Sequence, residues 1–201
     1  CNYNPDATMD VVGGVWFPQD CHLDPGILMD ALRKAITGHG GRFLDAEAVR
    51  FLREGRRVTR VLTAEGEGLP ADHVVLACGA WTPELARAFG LRLPMQAGEG
   101  YSMTLQNPVE QPRVCSLLKE GRVAVTPMGK KLRVAGTMEI CGRDLSVNPP
   151  RVQGITESFC QFFPAFKPEH FDGIDTWSGL RPCTPDGMPY IGPLPNTDNA
   201  I

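Results

Sequence analysis

Between residues 94 and 140 four extended runs follow one another at 101–106, 113–118, 122–127 and 131–140. They are joined only by the short turn signals Asn107-Pro108, Glu120-Gly121 and Met128-Gly129. Parallel strands need a long crossover, usually a helix, and the spacing leaves no room for one. This part of the chain is therefore committed to an antiparallel sheet. The whole reads as α+β (mixed α/β), because helical and further extended segments flank that sheet.

On the N-terminal side, Val15-Trp16-Phe17 is a short extended run. Asp24 then offers an N-cap and Pro25 the first position of a helix. Leu28, Leu32 and Ile36 recur on one face, and Gly38 stops the helix. Residues 42–44 read as a strand, and 48–52 and 57–63 as two more around Glu54-Gly55-Arg56. Gly66-Glu67-Gly68 leads into 71–78, where Val74-Val75-Leu76-Ala77-Cys78 suits a strand covered on both faces. Gly79 breaks it, Thr82-Pro83 caps a second helix, and Gly90 ends that helix. Later, Pro149-Pro150 opens a third helix with Val152, Ile155, Phe159 and Phe162 on one face, stopped by Pro164. A last strand over 173–181 runs into the loop Pro182-Cys183-Thr184-Pro185-Asp186-Gly187.

Composition narrows the function classes. Glycine (22) and proline (18) together supply about a fifth of the 201 residues, which predicts many turns and short strands. The net charge of -3 offers no basic footprint for nucleic acid. The densest basic run, Arg53, Arg56, Arg57 and Arg60, surrounds a turn and reads as a solvated hairpin tip. No apolar run approaches the length of a membrane span. The first residues, Cys1-Asn2-Tyr3-Asn4-Pro5, lack the basic-then-apolar order of a signal peptide. Seven cysteines stand at irregular spacing without a C-x-x-C pair, so we expect reduced, buried thiols and no metal site. There is no G-x-G-x-x-G, Walker A or G-x-S-x-G motif. The cluster Gly38-His39-Gly40-Gly41 follows a helix and so reads as a C-cap. The four histidines (22, 39, 73 and 170) have no partner pattern, and no residue is assigned as catalytic.

Three segments together resemble one family. They are Gly13-Gly14-Val15-Trp16-Phe17-Pro18-Gln19-Asp20-Cys21-His22-Leu23-Asp24-Pro25, Ala71-Asp72-His73-Val74-Val75-Leu76-Ala77-Cys78-Gly79-Ala80-Trp81-Thr82, and Trp177-Ser178-Gly179-Leu180-Arg181-Pro182-Cys183-Thr184-Pro185-Asp186-Gly187-Met188-Pro189-Tyr190-Ile191-Gly192. With Gly100-Tyr101-Ser102 and residues 133–139 between them, they resemble the FAD-dependent D-amino-acid oxidase superfamily, most closely bacterial D-amino-acid dehydrogenases and glycine oxidases. The resemblance implies an antiparallel-rich substrate domain at 94–182 and a partial, Rossmann-like FAD-binding domain with a three-stranded meander at 1–93. Residues 183–201 would begin the return to the FAD-binding domain. Family members begin with a G-x-G-x-x-G unit and continue past the position of Ile201, so the chain is expected to be an internal fragment, inactive alone.

The resemblance puts the substrate-carboxylate anchor at Arg181. Chemistry agrees, since a guanidinium fork at a strand end matches a carboxylate bidentately. A surface or domain-pairing ion pair is the competing reading. Tyr101 would donate a second bond to the carboxylate, or else be an ordinary half-buried sheet tyrosine. Trp177 and Met138 are candidate side-chain walls. Trp177, Gly179 and Arg181 alternate onto one strand face, whereas Met138, sharing a face with Leu132 and Val134, reads more readily as core. FAD would be met through the backbone of Val49, Cys78, Gly79 and Ala80 and by the Asp186-Gly187 loop. Relatives often carry a basic residue where this chain has Glu99; the departure either removes charge-assisted binding at that position or reflects a substrate of different charge.

The function implied is oxidation of D-amino acids to keto acids and ammonia, with hydride passing from Cα to FAD. A glycine- or sarcosine-type amine oxidase is the nearest alternative. A binding domain that shares the architecture without flavin is another, and a G-x-G-x-x-G ahead of Cys1 separates it from the enzyme. The partner expected is a small amino acid, not nucleic acid. The segment Phe17-Pro18-Gln19-Asp20-Cys21-His22 favours a quinone-linked acceptor over oxygen, hence a cytoplasmic protein with a peripheral link to a respiratory chain at the membrane's inner face. The oligomeric state is left open.

Overall fold

A computed structural model describes residues 3–201. The Asp24 carboxylate accepts the N–H groups of Gly26 (2.8 Å) and Ile27 (3.3 Å), and Pro25 opens α1 (Pro25–Gly38). Two donors that a helix start leaves unpaired are thereby satisfied. Next come β1 (Ala48–Glu54), β2 (Arg57–Thr63) and β3 (Gly68–Pro70), a three-stranded antiparallel meander. They are followed by α2 (Thr82–Ala86), β4 (Gln96–Leu105), β5 (Ser116–Leu118), β6 (Val123–Met128), β7 (Lys131–Glu139), α3 (Pro149–Phe162) and β8 (Thr176–Cys183). The second sheet has the order β5-β6-β7-β4-β8, and β5, β6, β7 and β4 pair antiparallel in turn. The architecture is the mixed α+β arrangement that the turn spacing requires. The chain forms two compact units, one from the residues up to Gly40 with Glu99–Leu180, the other from Gly41–Gly98 with Arg181–Ile201.

In the first unit the core lies between the large sheet and α3. Register builds it in rows: Met103 faces Val134, which faces Val125, and Leu105 faces Leu132. All five are buried. In the row above, Gly136 stands between Tyr101 and Val123. A Cβ there would come within 3.0 Å of Ile155 Cγ1 on α3 and 3.1 Å of the Arg122 carbonyl. The missing side chain lets the helix approach the sheet.

In the second unit Val58 and Phe89 centre a smaller core. Asn199 fastens it. Its Nδ2 donates to the carbonyls of Val58 and Asp72 (2.8 Å each), and its Oδ1 accepts the Val58 N–H (2.9 Å). Asn199→Ala strands buried backbone groups on a fully buried strand residue, so we expect about 2–4 kcal/mol of lost stability. A denaturant midpoint that does not move would refute this bracing role.

Several sequence expectations are corrected. Residues 71–78 form no strand, and Val74 makes a single parallel bridge to Ala200. Bonds from Val74 N–H to the Asn199 carbonyl (2.9 Å) and from Leu76 N–H to that of Ile201 (2.7 Å) extend it. A doubly covered strand needs neighbours on both edges and layers on both faces. Here Val75 is 68% exposed. Residues 15–17 and 42–44 are not strands, although Trp16 stacks on Tyr3 at 4.4 Å. Thr82 is the first residue of α2, whose cap is Trp81. The apolar residues of α1 are exposed and none is buried. Cys21, Cys115 and Cys141 are exposed and Cys78, Cys160 and Cys183 half-buried, so the described thiols are not the buried set expected; Cys1 and Asn2 lie outside the described residues. The basic run is more than a solvated tip. Arg53 donates to the Ala88 carbonyl (2.6 Å) and lies over the Phe89 ring, and Arg56 pairs with Asp198 (2.8 Å).

Candidate functional site

β4 and β7 run in step from the Leu105–Leu132 pair to the Tyr101–Gly136 pair, yet the next pair is Glu99 with Glu139. Between these pairs Gly100 alone on β4 is thus matched by Thr137 and Met138 on β7. The extra residue is accommodated at Thr137, whose φ of 63° is in the left-handed region. This is a β-bulge, which re-aims every side chain beyond it. Met138 is turned away from the face carrying Leu132 and Val134 and is 57% exposed, correcting the expectation that the three share a face. Glu139 instead comes to lie opposite Glu99, on the side of the sheet that carries Tyr101.

Carboxylates directly opposite each other on paired strands repel. Here a phenol stands between them. Tyr101 Oη lies 3.0 Å from Glu99 Oε2 and 3.1 Å from Glu139 Oε2. Tyr101 is almost fully buried, and so is not the half-buried sheet tyrosine of the competing reading. Burial, then the Glu99 carboxylate, raises its pKa well above the usual phenol value, with Glu139 adding to the shift and the Asn148 N–H opposing it. Glu139 is well provided for: Asn148 Nδ2 donates to both its oxygens (3.0 and 3.2 Å), and Arg151 Nε stands 3.9 Å away. Asn148 is also the residue before the first turn of α3, where the helix dipole favours negative charge. Glu99 is different. It is 1% exposed, the Cys141 thiol reaches its Oε2 at 3.2 Å, and its Oε1 is buried with no hydrogen-bond partner. Glu99, Tyr101, Glu139, Cys141, Asn148 and Pro149 line a cavity of about 260 Å³.

The Glu99 hydrogen bond is the main cause that pushes the Cys141 thiol pKa upward. A carboxylate acceptor favours S–H over thiolate, so Cys141 should react slowly for an exposed cysteine. Alkylation by iodoacetamide, followed by mass spectrometry near neutral pH, is expected to modify Cys141 more slowly than exposed Cys21. Glu99→Gln should narrow the gap, and equal rates in the unaltered protein would contradict the assignment.

The other expected site residues divide between the two units. In the first, Trp177 on β8 lies flat across Gly179: a Cβ at Gly179 would run into its ring. The Arg133 guanidinium covers the indole at 5.4 Å and donates to Ser102 Oγ at 3.0 Å. In the second, Arg181 is exposed on β8, and its guanidinium makes no hydrogen bond or ion pair among the described residues. Val49 is half exposed on β1. Cys78 and Ala80 are half-buried around Gly79, which has φ 53° and no atom within 4 Å of where a Cβ would stand. Gly187 has the same openness at φ 75°, and its neighbour Asp186 accepts the Met188 N–H at 3.1 Å. Bare, left-handed backbone facing open space fits the close approach of a flat cofactor. Sequence reasoning missed Glu139, Cys141 and Asn148. Only Asn148, ahead of Pro149-Pro150, carries a readable signal, that of a helix start.

Among the described residues no group of three His, Cys, Asp or Glu side chains could hold a metal ion, and no helix is long and apolar enough to cross a membrane. Similarity to known proteins is extensive. The chain is 39% identical over 185 residues to a D-amino acid dehydrogenase of Xanthobacter autotrophicus, matching 90% of this chain and 44% of that protein. It is 32% identical over 170 residues to a D-amino-acid oxidase of Bradyrhizobium diazoefficiens, covering 84% of this chain and 40% of that protein. It thus spans less than half the length of these curated relatives. Its fold matches the crystal structure of glycine oxidase from Bacillus cereus with a TM-score of 0.83 at 23% identity, covering 98% of this chain and 54% of that one. The family model described as FAD dependent oxidoreductase matches residues 2–201, and the chain belongs to that family.

Proposed function

We propose that the full-length protein oxidises D-amino acids to keto acids and ammonia, and that this chain supplies its carboxylate anchor and part of its flavin contact surface. The observation that carries the reading is the 39% identity to a D-amino acid dehydrogenase across 90% of the chain. Arg181 holds the substrate carboxylate through two parallel N–H bonds. That grip decides which Cα–H is presented, and so sets the stereochemical preference. Trp177, held flat by Gly179 and Arg133, offers a rigid apolar wall, and Met138 a flexible, exposed one. The Tyr101 phenol is already shared by Glu99 and Glu139, which leaves the carboxylate to Arg181. The backbone at Val49, at Cys78, Gly79 and Ala80, and at Asp186 and Gly187 holds FAD. When bound, FAD supplies the two-electron acceptor for the hydride leaving Cα. Loss of that hydride with the amine proton leaves an imine, which water converts to keto acid and ammonia. The named relatives are a dehydrogenase and an oxidase, and we favour a quinone-type acceptor.

The test is anaerobic mixing of the FAD-loaded full-length protein with D-alanine, L-alanine, glycine or sarcosine. Bleaching of the flavin by the D-isomer, with pyruvate as product, is expected. Bleaching by glycine and sarcosine but not D-alanine would transfer the reading to an amine oxidase. No bleaching by any of them would end it.

A further inference from the structure

We propose that the cavity bounded by Glu99, Tyr101 and Glu139 is a binding site for an organic cation bearing N–H donors, an alkylammonium or guanidinium group. Four carboxylate oxygens stand around one phenolic proton and one thiol proton. The phenol can donate to only one of its two acceptors at a time. Asn148 supplies both oxygens of Glu139. Glu99 Oε1 is left buried and unpartnered, in a residue 1% exposed that lines the cavity. A buried acceptor left unmade is costly, more so when it carries charge.

Arg151 stands 3.9 Å from Glu139, with about half its side chain in solvent, and serves that carboxylate. A water molecule in the cavity would donate a proton to Oε1 but would leave the charge uncompensated. A divalent metal needs several oxygens converging at short range, and no such group of three exists among the described residues. A volume of about 260 Å³ instead accepts a group of several heavy atoms. An ammonium or guanidinium brings two or more N–H donors and a full charge in one ligand. Pro149 offers the methylene stem an apolar wall.

The ligand of this chemistry that an amino-acid enzyme would meet is a basic amino acid, and that identification alone rests on the function proposed above. The experiment is calorimetric titration of the FAD-loaded full-length protein with D-lysine and with D-norleucine, which has the same chain without the charge. D-Lysine is expected to bind at least about tenfold more tightly, with the preference lost in Glu99→Gln and weakened in Glu139→Gln. Near-ultraviolet circular dichroism checks that both variants are folded, and the second keeps the test alive if the first is not. Equal binding of the two ligands, or a lysine preference that survives both substitutions, overturns the proposal. Glu99-dependent lysine binding without flavin bleaching by any D-amino acid would sink the enzymatic reading and leave this one standing. Oxidation of D-alanine with no preference for D-lysine would do the reverse.

Discussion

Arg181→Ala in the FAD-loaded full-length protein is expected to raise KM for the preferred D-amino acid by about a hundredfold or more. Two charge-assisted bonds to a carboxylate are at stake, each worth about 1.5–3 kcal/mol, and each tenfold in affinity is about 1.4 kcal/mol. An anchor of this kind would bind the carboxylate alike in ground and transition states, so the anchoring part of the loss should fall on KM. A smaller fall in kcat should accompany it if the fork also aligns Cα–H. Arg181→Lys keeps the charge but loses the planar fork, and should recover only part of the binding. Because Arg181 is exposed and makes no ion pair among the described residues, the thermal midpoint should hardly move. An unchanged KM removes the anchor assignment. A lowered midpoint with unchanged KM would make Arg181 a structural ion-pair residue instead.

What could be read in the sequence follows the range of the interactions. Local signals were reliable: Asp24-Pro25 starts α1, the Gly55 turn joins β1 to β2, and Pro149-Pro150 opens α3 where expected. Each rests on the chemistry of a few adjacent residues. The strand expected at 71–78 failed because its apolar run describes what should surround it, and neighbours on both edges are not encoded locally. α1 makes the same point, since its apolar stripe is real while nothing in the described residues covers it. In the site, Glu99 was visible as an odd charge ahead of Tyr101, but its juxtaposition with Glu139 was not. That depends on the extra residue accommodated at Thr137, and period-two counting along β7 points Met138 inward instead. A single unpaired residue therefore decides which side chain reaches the cavity, and sequence periodicity is blind to it.

Phe159→Ala should cost the first unit about 3–5 kcal/mol and lower the thermal midpoint of that transition by roughly 10 °C, the largest stability loss of a single side chain expected here. Phe159 is fully buried on α3. Its ring stacks on Phe163 at 4.8 Å and meets the edges of Phe166 at 4.9 Å and Phe171 at 5.7 Å. Truncation removes the burial of one ring and the facing contacts of three others, and rings fixed on a helix and on following turns cannot collapse far into the space. Phe159→Leu refills much of that volume and should cost less than half as much. The two losses distinguish a tightly packed aromatic cluster from a loose one: a packed core responds to lost volume, a fluid one mainly to lost hydrophobicity. If alanine and leucine cost nearly the same, or if both move the midpoint by less than about 2 °C, the cluster does not hold α3 against the sheet. The same helix presents Asn148 to Glu139 at its first turn. Loosening the cluster should therefore release that carboxylate as well, and a folded Phe159→Leu variant with unaltered Cys141 reactivity would show that the acidic cavity is held from the β4–β7 side alone.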